Sequence, residues 1–454
     1  MKKTKNYIFF IIILILSGTL VAGYMINKKN SASKKNEIFN LRKQYEVKNN
    51  QLSNIQKYFL GIDRNINNII NPDSINFIKT ESDKELKGFE NLQISKYKTE
   101  DILFGANIMA LGSAYIDFYN NDNELILATY DGVFATSKLD NLNKFSKIKS
   151  NIYDLIKYEE FYISDQYGIK DILIDDNILY VSLIGEKKKN CYNLKILKSE
   201  INKKNLNFNL FYKTPGCVDK DNKHEFYAHQ GAGGRMFKKN KSILFTTGEF
   251  RNRPLAQDNK NAYGKILEIN IATKKAKIIS LGHRNPQGLY YSNKYNFIIS
   301  TEHGPKGGDE ININHNPLKK IKNFGWPISS YGDHYRKNYS KEKLSQAPLN
   351  KSHKKYGFVE PIKYFVPSIG ISEIVPFNNK DDEFLIGAMG SEVSENDLSL
   401  HYIKLDNKRK KVLNHKYILL NERIRDMVIS KDKEKIILFL ETSASLAIIK
   451  KINN

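Results

Sequence analysis

The sequence predicts a many-stranded all-β domain, and three observations carry that expectation. Short apolar runs recur from about residue 100 onward: 114–119, 124–128, 172–174, 178–182, 242–246, 297–300, 384–387 and 436–440. Clusters of Asn, Asp and Gly separate them, as turns separate strands. Tyr and Phe are abundant, at 27 and 24 residues, and aromatic and β-branched residues fit a pleated, half-buried surface. No long 3.6-residue periodicity intervenes between the runs. Radially repeated four-stranded sheets read this way in sequence. A chain of 454 residues also leaves room for appendages beside one large domain.

The N-terminus differs from the rest. Residues 7–26 are uncharged and mostly apolar, with Lys2, Lys3 and Lys5 before them and Lys28 and Lys29 after. About twenty such residues cross a bilayer as a helix. An uncleaved transmembrane anchor over 7–26, behind a basic flank at 1–6, is therefore expected. The alternative is a secretion signal with its exit near Val21-Ala-Gly23. Both flanks are basic, so charge does not set the orientation. Ile38, Leu41, Tyr45, Leu52, Ile55, Phe59, Ile62, Ile66 and Ile69 follow on heptad spacing, interrupted at Lys48. They predict a helical stalk within a stalk and linker region at 27–95, either a coiled coil that joins copies of the chain or a helix packed on the main domain. Residues 71–95 read as polar linker and 96–454 as the β domain.

The formal net charge is +23, but the lysines are scattered and interleaved with acids. No nucleic-acid stripe results. A self-repelling soluble surface, or attraction to anionic headgroups, accounts for the charge. The only two cysteines, Cys191 and Cys217, flank two apolar runs with an Asn- and Lys-rich turn near residue 204 midway between them. A regular hairpin would bring them face to face at its open end. A disulfide there implies an oxidising compartment, and two separate buried thiols are the alternative.

The densest motif is Gly282-His-Arg-Asn-Pro-Gln-Gly-Leu289, which sets Arg284, Asn285 and Gln287 in a loop bounded by glycine and proline. Glu302-His-Gly-Pro-Lys-Gly-Gly-Asp-Glu-Ile311 and Phe324-Gly-Trp-Pro327 follow. Such donors suit one anionic or carbonyl-rich ligand, because Arg binds a carboxylate bidentately. With Gln166-Tyr-Gly-Ile-Lys-Asp171, Gly233-Gly-Arg235, Ala256-Gln-Asp258, Tyr263-Gly-Lys-Ile-Leu267 and Arg423-Ile-Arg-Asp426, roughly residues 100–450 resemble the soluble quinoprotein glucose/sorbosone dehydrogenase family. The motifs also follow the family's order.

The resemblance implies a six-bladed β-propeller that oxidises aldose sugars with pyrroloquinoline quinone (PQQ) and calcium, and an electron acceptor that the sequence does not identify. Arg284 and Asn285, with Gln287 beside them, match the cofactor loop. Arg423 and Arg425 match a second arginine pair, and Gln166 matches a contact from an early blade. Gly304 and Pro305 match a turn whose carbonyls bind calcium, with Asp309 in support. Two departures stand out. The family's basic histidine lies two positions before Gly-Gly-Arg, which here is Gly231, so His229 takes the role only if the loop bulges. A lysine expected near the C-terminus is Gly390, leaving Lys306 or another nearby lysine to compensate. The enzyme reading places the domain on the periplasmic side of a membrane. Its rival is a non-catalytic propeller that binds or scaffolds.

Overall fold

The computed structural model describes residues 72–452, apart from 87–88, 90, 102, 104, 107–108, 157–167, 220–230, 337 and 391–394. All belong to the compact unit Asp63–Asn454. The candidate anchor at 7–26 and the heptad segment at 38–69 lie outside the described residues. Among the described residues, no helix is long and apolar enough to cross a membrane.

Each apolar run named above falls within a strand. The strands Ala114–Tyr119, Gly168–Asp175, Gly233–Lys239, Pro286–Ser292, Ile371–Pro376 and Ile424–Ile429 each open an antiparallel run whose following strands lie progressively outward. These opening strands touch one another in a closed cycle, the last against the first. The result is an all-β, propeller-like fold. Apolar side chains of neighbouring sheets fill the space between them. Phe134, Ile169, Val181 and Leu206, for example, are all fully buried in one such layer.

The cycle closes through the N-terminal side of the chain. Leu92–Thr99 pairs antiparallel with Ser445–Lys451, from Leu92 opposite Lys451 to Lys98 opposite Ser445. Ser74–Glu85 then joins Leu92–Thr99 to Lys144–Ser150. This corrects the expectation of a linker over 71–95, much of which is strand. Ile75, Phe77, Leu92 and Ile94 alternate into the core, but lysines and glutamates between them mask the period in sequence.

Buried carboxylates stitch the opening strands together. Asp117 accepts the Ile174 amide at 2.7 Å, Asp171 the Met236 amide at 2.6 Å, and Asp426 the Ile116 amide at 2.8 Å. Each bond crosses from one run to the next. Arg235 lies among these acids, 2.7 Å from Asp171, 2.7 Å from Asp426 and 2.5 Å from Glu373.

Cys191 and Cys217 form a disulfide with their Cα atoms 5.5 Å apart. Val218 pairs with Tyr192 and Asp219 with Cys191, so the second cysteine lies at the open end of the expected hairpin. Denatured, unreduced protein should therefore show no thiol to an alkylating probe. Cys217→Ser should lower stability by about 3 kcal/mol in chemical unfolding, through the freed loop. Two labelled thiols, or an unchanged midpoint, would contradict this.

Candidate active site

Antiparallel pairing of an opening strand with its neighbour slips at one end in several runs. The slips fall between Pro286 and Gly288 and between Ile424 and Asp426, leaving Gln287 and Arg425 as the extra residues. A bulge of this kind re-aims a side chain. Both side chains line a cavity of about 230 Å³, together with Arg284, Asn285 and Arg423. Five residues singled out in two distant motifs thus share one wall-to-wall space.

The Arg284 loop is held from below. Glu302, buried, accepts the Arg284 amide on one oxygen and lies 3.0 Å from His283 Nδ1 with the other. His283 Nε2 is 2.7 Å from Ser280 Oγ, and its ring stacks on Phe324. The Arg284 guanidinium lies 5.5 Å from the Trp326 ring centre and donates to the His303 carbonyl at 3.1 Å. Burial opposes its charge, but Tyr335, Glu249, Asp309 and Glu302 outweigh that and raise its pKa above the ordinary guanidinium range. Asn285 Oδ1 accepts from the Gly233 amide at 3.0 Å and from Gln287 Nε2 at 2.8 Å, tying this loop to the glycine-rich strand.

At the Arg423 and Arg425 side of the cavity, Glu441 unites the arginine pair. It is fully buried, 2.5 Å from Arg425 Nε and 3.3 Å from Arg423 Nε, and accepts Ser113 Oγ at 2.5 Å. Arg423 also donates to the carbonyls of Met389 and Gly390. A Cβ on Gly390 would collide with the Asp397 carboxylate, so this packing has no room for a lysine there. Lys306 does not line the cavity, but Lys170 does.

The Gly304-Pro305 turn is braced internally. Asp309 accepts the Gly304 amide at 3.0 Å, Ser368 Oγ at 2.8 Å and the Ile371 amide at 3.0 Å. Gly304, Pro305 and Asp309 are not among the cavity's lining residues, whereas His303 is. Among the described residues, no three His, Cys, Asp or Glu side chains are grouped to hold a metal. The carboxylate therefore shapes the turn, and a metal shell would depend on backbone oxygens. Gln166 and His229 lie outside the described residues. Gly231, two positions after His229, lines the cavity.

Sequence reasoning missed Glu441, Lys170, Glu249 and Arg251. For Glu441 a signal existed, a lone carboxylate directly after the apolar strand Lys435–Leu440. Glu249 and Arg251 reach the cavity from a turn in which Phe250 and Arg251 adopt φ of 53° and 57°. Left-handed non-glycine residues of this kind cluster at functional sites and leave no mark in sequence.

Comparison with known proteins agrees with the fold. An aldose sugar dehydrogenase, YliI of Escherichia coli K12, is 35% identical over 161 residues, which is 32% of this chain and 40% of that protein. The chain thus matches less than half the length of this relative. The soluble E. coli aldose sugar dehydrogenase in its apo-form superposes with a TM-score of 0.59 at 18% identity, over 79% of this chain and 99% of that one. The PQQ domain of pyranose dehydrogenase from Coprinopsis cinerea, in its holo form, gives 0.50 at 11% identity, over 82% and 98%. At such identities these structures establish the fold. The glucose/sorbosone dehydrogenase profile matches residues 122–449, a span that contains most of the strands and motifs described above, and the chain belongs to that family.

Proposed function

We propose that this chain is a PQQ- and calcium-dependent sugar dehydrogenase, a six-bladed propeller held by residues 7–26 on the outer side of a membrane, which oxidises an aldose. The observation that carries the proposal is the convergence of Arg284, Asn285, Gln287, Arg423 and Arg425 on one cavity. Among the described residues its lining has five cationic side chains and one carboxylate, Glu249, a balance that suits a planar tricarboxylate. Bound PQQ would supply the two-electron acceptor for the sugar. The arginines would hold its carboxylates through charge-assisted hydrogen bonds. Buried Glu441 and Glu302 fix two sides of the site in advance, so little ordering is left for binding. His229 would take the sugar hydroxyl proton, which requires its loop to bring it past Gly231. Calcium would sit at the Gly304 and Pro305 carbonyls, in the turn that Asp309 braces.

The disulfide favours an oxidising compartment. Dye reduction with a panel of aldoses, with and without PQQ and calcium, tests the proposal. Turnover that needs the quinone supports it. No quinone binding in an absorbance titration would leave a binding or scaffolding propeller. Arg284→Gln is expected to weaken PQQ binding by about 1.5–3 kcal/mol, the size of a hydrogen bond to a charged group. Its melting temperature should stay near wild type, because Arg284 as a whole is only half-buried and glutamine can keep a donor toward the His303 carbonyl. Unchanged affinity would remove Arg284 from the site.

A further inference from the structure

The bulges that aim Gln287 and Arg425 have a counterpart in the run opened by Gly168–Asp175. Pairing there slips between Ile169 and Asp171, and the extra residue is Lys170. All three side chains line the same cavity. The repeat of one backbone device on three opening strands places Lys170 in the same structural slot as two residues already read as ligand contacts. From this we infer that Lys170 is a cofactor-binding cation, which takes an anionic carboxylate of the ligand bound in the cavity.

The surroundings of Lys170 support a fixed side chain. Its Nζ lies 5.1 Å from the Tyr130 ring centre and 3.5 Å from the Tyr130 hydroxyl. A ring face holds a cation electrostatically, and an ammonium carries three donors, so one lysine can serve the ring and a ligand together. The stem passes over Gly234, where an added Cβ would collide with the Lys170 Cβ. Gly234, at φ 112°, thus leaves the space that the lysine crosses. The second support comes from Arg423 and Arg425 in the same cavity, which already share Glu441, while Gly390 beside them bears no side chain. On Lys170's own strand the nearest acid, Asp171, is bound to Arg235 and to the Met236 amide. Its charge is therefore directed at Arg235, away from an anion that approaches Lys170.

The inference rests on the cavity being the PQQ site, and the test separates the two. Purified full-length protein would be titrated with PQQ and with its uncharged trimethyl ester, for wild type, Lys170→Met and Lys170→Arg. Methionine keeps the stem length without the charge. Wild type should prefer PQQ to the ester. Lys170→Met should bind PQQ about 10- to 100-fold more weakly, from the loss of one charge-assisted bond, while its affinity for the ester stays within about twofold. Lys170→Arg should recover most of the loss. If wild type binds neither quinone, the functional reading itself fails. If wild type binds PQQ and Lys170→Met binds it equally well, or loses PQQ and ester in equal proportion, Lys170 makes no carboxylate contact and the inference is overturned. Should Lys170→Met fail to fold, Lys170→Arg decides, since an arginine variant with the wild-type melting temperature and no PQQ preference overturns it equally.

Discussion

Arg235→Met is expected to destabilise the protein by about 3–5 kcal/mol, the cost of removing one partner from a buried ionic group. Arg235, Asp171, Glu373 and Asp426 are all nearly inaccessible to solvent, so the three carboxylates have no water to replace the lost cation. Burial already pushes Glu373 up to about 7 and Asp171 well above the carboxylate range, against the pull of Arg235. Asp117, in the neighbouring layer, is raised by burial to about 7. A carboxylate with its folded pKa above the unfolded value favours the fold below the unfolded pKa, and that stability is lost as pH rises through the folded pKa. Without Arg235 the folded-state values of Glu373 and Asp171 rise further. The variant should therefore lose less stability at pH 5 than at pH 8. Urea unfolding at the two pH values measures both quantities. An equal loss at each pH would mean that the acids stay ionised, and the charge argument would fail.

His229→Asn is expected to cut sugar turnover by roughly two to four powers of ten, the range of a general base. PQQ affinity should survive, because the arginines and not the histidine would bear the carboxylates. The wild-type rate should rise with pH through a single group near neutrality. His303 is the competing imidazole. It lines the cavity, its Nε2 is buried without a hydrogen-bond partner, and burial, helped by Arg284, lowers its pKa. Stopped-flow reduction of the bound quinone separates chemistry from reoxidation. Wild-type reduction rates in His229→Asn would move the base elsewhere in the site and strengthen the case for a different assignment of its loop.

Much of the architecture is legible in the amino-acid sequence because its signals are local. Ala114–Tyr119 and Ser242–Thr247 alternate or run apolar between clear turns, and they are strands. The arginine motifs are legible for the same reason, since Arg284, Asn285 and Gln287 fall within four positions. Ser74–Glu85 is not, because lysines and glutamates dilute the period of a strand exposed on much of its length. Lys170 and Glu441 are hidden for a different reason. Lys170 reaches the cavity through a slip in strand pairing, which one strand's sequence cannot reveal, and Glu441 meets Ser113 across 328 residues. Spacing along the chain carries no trace of either contact.

The seam between Leu92–Thr99 and Ser445–Lys451 bears on the order of events at birth. Its two halves lie far apart in the chain, with Lys98 and Ser445 separated by 347 positions, so one edge of the earlier half waits open until the later half has emerged. Strand pairing over such a separation is slow, since loop closure must precede its reward. The hydrogen bond from the Ile116 amide to Asp426 spans 310 residues in the same way. A ribosome that stops short therefore releases a chain with an open edge at Leu92–Thr99, and open edges recruit other chains. Emergence of Ser445–Lys451, more than the gain of any single contact, is the event that turns this chain from an aggregation hazard into a closed cycle of sheets.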